Sequence, residues 1–184
     1  MKNNKGYTTI ELLAFTIILV VISSLIAGVL YSTLRGSGKA KIGGIVAQNG
    51  NYALSVITDI ITSSEAITAI NGDQDVNTCV PTSGPISSIK LKRIDGGETT
   101  ISCSSSDGSI ASSSGSVSVS LIDNTQVEVA DCSSFIVCDQ ENPYSYPIIN
   151  VSFKLQDKNN KPEIVESSFS SDFKTSVSMR NYSP

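Results

Sequence analysis

Four cysteines, Cys79, Cys103, Cys132 and Cys138, are the most reactive side chains in this sequence. In an oxidising compartment four thiols form two disulfides, and three connectivities are open to them. Pairing Cys79 with Cys103 and Cys132 with Cys138 is the favoured assignment, since the first ties the start of a hairpin to its end and the second closes a small loop. A zinc site of four thiolates is the alternative, but the spacings contain no CxxC pair. Asp73, Asp75 and Asn77 alternate oxygen ligands as a calcium loop does. The EF-hand pattern then needs a glycine and a bidentate acid where Thr78 and Gly84 stand, so these three are weak calcium candidates beside the plainer reading of solvated loop acids. Asp139, Glu141 and Asn142 form a second acidic group with no completed motif. The chain has no His and no Trp. That removes the usual proton shuttle, the Ser-His and Cys-His nucleophile pairs and every His-based metal site. No catalytic residue, cofactor or enzymatic activity is expected.

One acid stands apart from these. From Leu12 to Leu34 the chain reads LLAFTIILVVISSLIAGVLYSTL without a charge, and about 20 such residues span the hydrocarbon as a helix. A cleavable secretory signal has a shorter apolar stretch, of about 7–15 residues. Lys2 and Lys5 precede the run, which by the positive-inside tendency places residues 1–6 in the cytoplasm and everything after Arg35 outside. Glu11 sits at the edge of this segment, where a carboxylate costs free energy that rises to about 2.5–3.5 kcal/mol at the bilayer centre. No basic side chain lies between Tyr7 and Leu34, and on a straight helix Arg35 would be about 36 Å away along the axis. The cation that offsets Glu11 must come from another molecule.

The polar leader, Gly6, Tyr7, the Thr8-Thr9-Ile10 run, Glu11 and the apolar helix behind them resemble the type IV prepilin signature. The resemblance implies a membrane-embedded prepilin peptidase that cuts between Gly6 and Tyr7 and methylates the new Tyr7 amine. It also implies that Glu11 pairs with the amine of a neighbouring subunit during assembly. Tyr7 replaces the commoner Phe and Thr9 a bulky aliphatic, and neither departure removes the chemistry. Gly28 lies where many filament-forming members carry a helix breaker, although a small packing residue in a membrane helix reads the same way.

Behind Arg35 the stretch RGSGKAKIGG has the composition of a linker, yet apolar periodicity resumes at once. Ile42, Ile45, Val46, Asn49, Tyr52, Ala53, Val56, Ile57, Ile60 and Ile61 fall on one stripe of a helix that is expected to end near 67–71, with Asn71-Gly72 as its stop. Gly43, Gly44 and Gly50 weaken that helix, so packing on a sheet must hold it. Hairpins are predicted for 86–94 with 98–103 around Asp95-Gly96-Gly97, and for 117–122 with 126–130 around Asp123-Asn124. Segments 148–155 and 164–179 are strands flanking a polar turn, the latter broken in its middle, and the Ser-rich tract 104–120 reads as a mobile loop entering a strand. The closing FKTSVSMRNY is similar to the last strand of minor pilins and J-type pseudopilins.

The expected fold class is α+β, a long N-terminal transmembrane and amphipathic helix packed on an antiparallel β-sheet head, the pilin fold. The parts are a cleaved leader (1–6), a transmembrane and assembly helix (7–34), an amphipathic helix (35–71) and a disulfide-stapled β head (72–184). The resemblance implies as partners the prepilin peptidase, other pilin or pseudopilin subunits, a membrane assembly platform and lipid. It implies a single-pass protein of the cytoplasmic membrane that moves into a cell-surface or periplasmic filament. A membrane-anchored adhesin and an extracellular enzyme are the competing readings. With 13 basic and 17 acidic residues, net charge −4, the chain has no cationic field for a duplex, and nucleic acid is not an expected partner.

Overall fold

The computed structural model describes residues 8–72, 79, 86–142, 144–158 and 169–183. The chain divides into two compact units, Met1–Ala40 and Lys41–Pro184. One helix, α1 (Thr9–Thr62), begins in the first unit and ends in the second, unbroken through the linker-like stretch. In the first unit every described residue is exposed, as a segment built for a solvent of lipid would be when seen without it.

In the second unit α1 buries Val46, Gly50, Ala53, Ile57, Ile60 and Ile61 at spacings of three and four. Tyr52, placed on that stripe by periodicity, lies 59% exposed, and Gly50 takes the inward position instead. The reason is the ring of Phe173: a Cβ on Gly50 would lie 2.2 Å from it, and side-chain Cβ atoms never come that close. Gly43 makes a second, shallower notch, where an added Cβ would meet Phe169 at 3.3 Å. Phe173 stacks on Phe153 with ring centroids 5.5 Å apart, and Phe153 reaches Phe135 at 6.2 Å. The glycines that weaken the helix are thus what lets an aromatic row lie against its backbone.

The helix stops earlier than the sequence predicts. Thr62 Oγ1 donates to the carbonyl of Thr58 at 2.9 Å, and the Ser63 and Ser64 hydroxyls both donate to that of Ile60. These bonds take up carbonyls that the next turn of helix would use. The following Ser64–Ile70 becomes strand β1, with Ser64, Ile67, Ala69 and Ile70 buried. Asn71 (φ 49°) and Gly72 (φ 84°) therefore reverse the chain after a strand. The β head begins at residue 64, and the amphipathic helix does not extend to 71.

Among the described residues nine strands form two antiparallel sheets. The first is a meander of β1, β2 (Ser88–Arg93), β3 (Glu98–Ser104), β4 (Ser109–Ser114) and β5 (Val117–Ser120), in that order. In the second, β6 (Val127–Asp131) and β7 (Ile136–Asp139) both pair with β8 (Ile148–Asp157), which also pairs along its length with β9 (Ser170–Ser178). The α+β class holds: a long apolar N-terminal helix, packed through its last third on antiparallel sheet, consistent with the pilin fold.

The hairpin at Asp95-Gly96-Gly97 forms as predicted, with Gly96 at φ 79° and Gly97 N donating to Asp95 Oδ1 at 2.9 Å. The one predicted around Asp123-Asn124 does not. β5 belongs to the first sheet and β6 to the second, because adjacent Leu121 and Ile122 are both buried and break the alternation of a strand. Asn49 on α1 anchors this crossing, its Oδ1 accepting from Asp123 N at 2.8 Å. The Ser-rich tract does enter a strand at 117, but its earlier part is corrected from loop to strand: 109–120 is the β4–β5 hairpin, turning at Gly115 with φ 59°. Ile110 is buried, Ser109, Ser112 and Ser113 are half-buried, and Ser114 and the serines of β5 are exposed.

Gly50→Ala is expected to destabilise the second unit by about 1–3 kcal/mol, the usual cost of overpacking, read as a lower denaturant midpoint. Gly44→Ala, where an added methyl meets nothing within 4 Å, should show no loss.

Candidate functional site

Helix α1 opens on a reciprocal cap. Thr8 is its N-cap, and the spacing Thr8-Thr9-Ile10-Glu11 is that of a capping box. Glu11 N donates to Thr8 Oγ1 at 3.4 Å, while Thr8 N and Thr8 Oγ1 donate to Glu11 Oε2, each at 3.2 Å. Leu12 N completes the first turn on Thr8 O at 3.2 Å. An acid in the first turn also faces the positive end of the helix dipole. Glu11 therefore has hydrogen-bond donors within its own first turn, although no basic side chain lies between Tyr7 and Leu34. The S/T-x-x-E spacing carries that signal in the sequence.

Along the apolar segment the backbone bonds lie within the helix, and hydroxyls join them. Thr16 donates to Leu13 O, Ser24 to Val21 O and Thr33 to Val29 O, each at 2.8 Å. These hydroxyls are satisfied within the helix, as a helix in hydrocarbon would require. By length and composition α1 is a candidate membrane anchor or signal near the N-terminus. Gly28 sits within it with nothing within 4 Å of where a Cβ would be. Gly6 and Tyr7, the expected cleavage and methylation positions, lie outside the described residues, and so do Asp73, Asp75 and Asn77.

The cysteines pair otherwise than expected. Cys79 joins Cys138 with Cα atoms 5.3 Å apart, and Cys103 joins Cys132 with Cα atoms 5.9 Å apart. The favoured pairing assumed that cysteines close in sequence would be close in space. Cys132 and Cys138 instead lie near the ends of β6 and β7, which follow one another along the same edge of β8. Each bridge now ties the second sheet to another part of the head: Cys103 lies in β3 of the first sheet, and Cys79 between β1 and β2. An isolated bridge of Ile86 to Ile136 and the bond from Val129 N to Gly108 O join the sheets nearby.

Turn acids are tied locally. Hydrogen bonds from the Thr125 hydroxyl, the Gln126 amide and Thr125 N, with Lys158 adding attraction, hold the Asp123 carboxyl below its ordinary value. Ser133 N and its hydroxyl, aided by Lys154, do the same for Asp131. A polar cleft of about 310 Å³ is lined in part by Asp107, Glu128, Gln156 and Lys158. Its groups bond one another or the backbone, Gln156 Nε2 to Glu128 Oε1 at 2.7 Å and Lys158 Nζ to Asn124 O at 2.5 Å. Among the described residues no three His, Cys, Asp or Glu side chains are placed to hold a metal ion.

Comparison with protein-family models, curated proteins and solved structures found no match.

Peptide mapping without reduction is expected to recover 79 linked to 138 and 103 linked to 132. Replacing both Cys103 and Cys132 by Ser should lower stability by about 2–4 kcal/mol in the loop-entropy account. Peptides linking 79 to 103 would contradict the fold.

Proposed function

We propose that the chain is a type IV pilin-like subunit, a minor pilin or pseudopilin, processed by a prepilin peptidase and assembled into an extracytoplasmic filament for pilus biogenesis, secretion or DNA uptake. The observation that carries this reading is the N-terminal arrangement. A Gly6-Tyr7 boundary precedes a capped helix start with Glu11 in its first turn, and no charge follows until Arg35. The α+β head with two disulfides supports it, since such bridges persist outside the reducing cytoplasm.

On this reading the protein is a substrate rather than a catalyst. The peptidase hydrolyses the Gly6–Tyr7 bond, and the freed Tyr7 amine then takes a methyl group from a sulfonium methyl donor, which leaves as the thioether while the nitrogen loses a proton. The shortened chain stays in the cytoplasmic membrane, residues 7–34 spanning it and the head outside, until an assembly platform stacks it with other subunits. Glu11 then accepts the cation it lacks within its own helix, the Tyr7 amine of a neighbour. Oε2 is already ordered by Thr8, so little rotamer freedom remains to be lost when that pair forms.

Mass spectrometry of the chain from cells with an active peptidase should find Tyr7 as an N-methylated terminus. An intact Met1 terminus, or a cut beyond Ala14, overturns the reading.

Two variants separate charge from capping at Glu11. Gln also completes a capping box, so Glu11→Gln keeps the helix start and loses the charge, whereas Glu11→Ala loses both. Breaking a desolvated ion pair from one side costs about 3–5 kcal/mol. Both variants should therefore insert in the membrane and be cleaved, yet fail to enter the filament fraction. Normal incorporation of Glu11→Gln would mean that Glu11 acts as a cap alone.

A further inference from the structure

β5 (Val117–Ser120) ends the first sheet at one side, where among the described residues it is paired with β4 alone. That pairing fixes which of its backbone groups are used. Val117 lies opposite Ser114 and Val119 opposite Ser112, and Leu121 N donates to Ile110 O at 2.8 Å. Bonds between antiparallel strands alternate from residue to residue, so 117, 119 and 121 bond toward β4. The N–H and C=O of Ser118 and Ser120 then point off the edge of the sheet.

Side chains on the inner face of this corner lose cover row by row. Cys103, Ile110 and Leu121 are buried beside one another. In the next row Ile101 is buried, Ser112 half-buried and Val119 56% exposed. In the row beyond, Val117 is 63% exposed beside exposed Ser114. Two valines therefore stand in water on the face that elsewhere forms core.

Proteins usually blunt such an edge with charge, proline or a bulge. The other strands at the margins of the two sheets show these devices. β1 has two register shifts, and Ser183 N donates to its Glu65 O at 2.9 Å. β6 carries Glu128 and Asp131, β7 carries Asp139, and β9 carries Asp172 and Lys174. β5 has none of them: 108–122 contains no charged residue and no proline, and the register with β4 is unbroken.

We infer that β5 of one copy of this chain pairs antiparallel with β5 of a second copy, about a two-fold axis through Ser118. In that register the strand is its own complement. The two Ser118 residues exchange both backbone bonds, and each Val117 lies opposite the partner's Val119 in a closely spaced pair, with Cα atoms about 4.5 Å apart. A charged strand laid on its own copy would oppose like charges, and this one does not. A two-fold contact closes on itself and does not propagate, so it is separate from the stacking of subunits in the proposed filament. Four residues a side bury far less than the ~1,200–2,000 Å² of stable interfaces, and the pair forms where a membrane concentrates the copies.

The test uses the full chain with two affinity tags, Val117→Cys on one and Val119→Cys on the other, co-expressed and mildly oxidised in the membrane fraction. Both side chains are exposed, so neither substitution disturbs the core. The mixture should give a disulfide-linked dimer carrying both tags, since a separation of about 4.5 Å suits a bridge. Either variant alone should give about tenfold less, because like positions then lie diagonally at about 7–8 Å. Ser118→Pro in both copies removes the two donors at the axis without touching the ladder to β4, and should lower the mixed dimer about tenfold. Peptide mapping of the 79–138 and 103–132 bridges shows whether each variant is folded. Equal yields from the mixture and from single variants overturn the inference. So do an introduced thiol joined to another protein, and a mixed dimer indifferent to Ser118→Pro. Where the proline variant loses its native bridges, the comparison of mixed with single variants decides alone.

Discussion

At Gly50 the backbone of α1 comes so close to the ring of Phe173 that no side chain fits between them. The arrangement of the second sheet follows from that approach. β9 is held against the helix by Phe173, and β8 is held against β9 by nine paired positions from Ile148 to Gln156. β6 and β7 then share the remaining edge of β8, and with them come Cys132 and Cys138. A larger residue at position 50 would displace the aromatic row of Phe135, Phe153 and Phe173 from the helix. Interiors packed to crystal density transmit such a shift rather than absorb it.

The two ends of α1 are closed by the same device. At its start Thr8 and Glu11 exchange hydrogen bonds, and at its end Thr62, Ser63 and Ser64 return their hydroxyls to the last carbonyls. Between them a helix with no acid from 12 to 58 is apolar toward Leu34 and glycine-notched where it meets sheet. Both caps are built from residues neighbouring in sequence.

Local signals were readable in the sequence, and long-range ones were not. The apolar run, the α+β class and the Asp95-Gly96-Gly97 turn each depend on a few neighbouring residues. The cap at Glu11 is equally local, in a spacing that is easily passed over beside the more conspicuous apolar segment. The helix stop at Thr62 was hidden because Ile67 and Ile70 continue a helical spacing just as well as they fit a strand. Leu121 and Ile122 gave a similar ambiguity, since nothing nearby tells a strand end from a crossing between sheets. Gly43 and Gly50 read as helix-weakening residues until their partners, Phe169 and Phe173, are known. The disulfide pairing was least accessible, because it depends on which edge of β8 receives β6 and β7.

The two bridges are nested, the span of 59 residues between Cys79 and Cys138 enclosing the span of 29 between Cys103 and Cys132. Any single backbone cut between Cys79 and Cys138 therefore leaves two fragments still joined by the outer bridge. A cut between Cys103 and Cys132, the interval that contains the Ser-rich hairpin, leaves them joined twice. β8 and β9 have no such safeguard, since they follow Cys138 and are held by hydrogen bonds and packing alone. In a medium containing proteases the exposed serines of β4 and β5 are thus the covalently insured part of the head, and the chain beyond Cys138 is where a nick would detach structure.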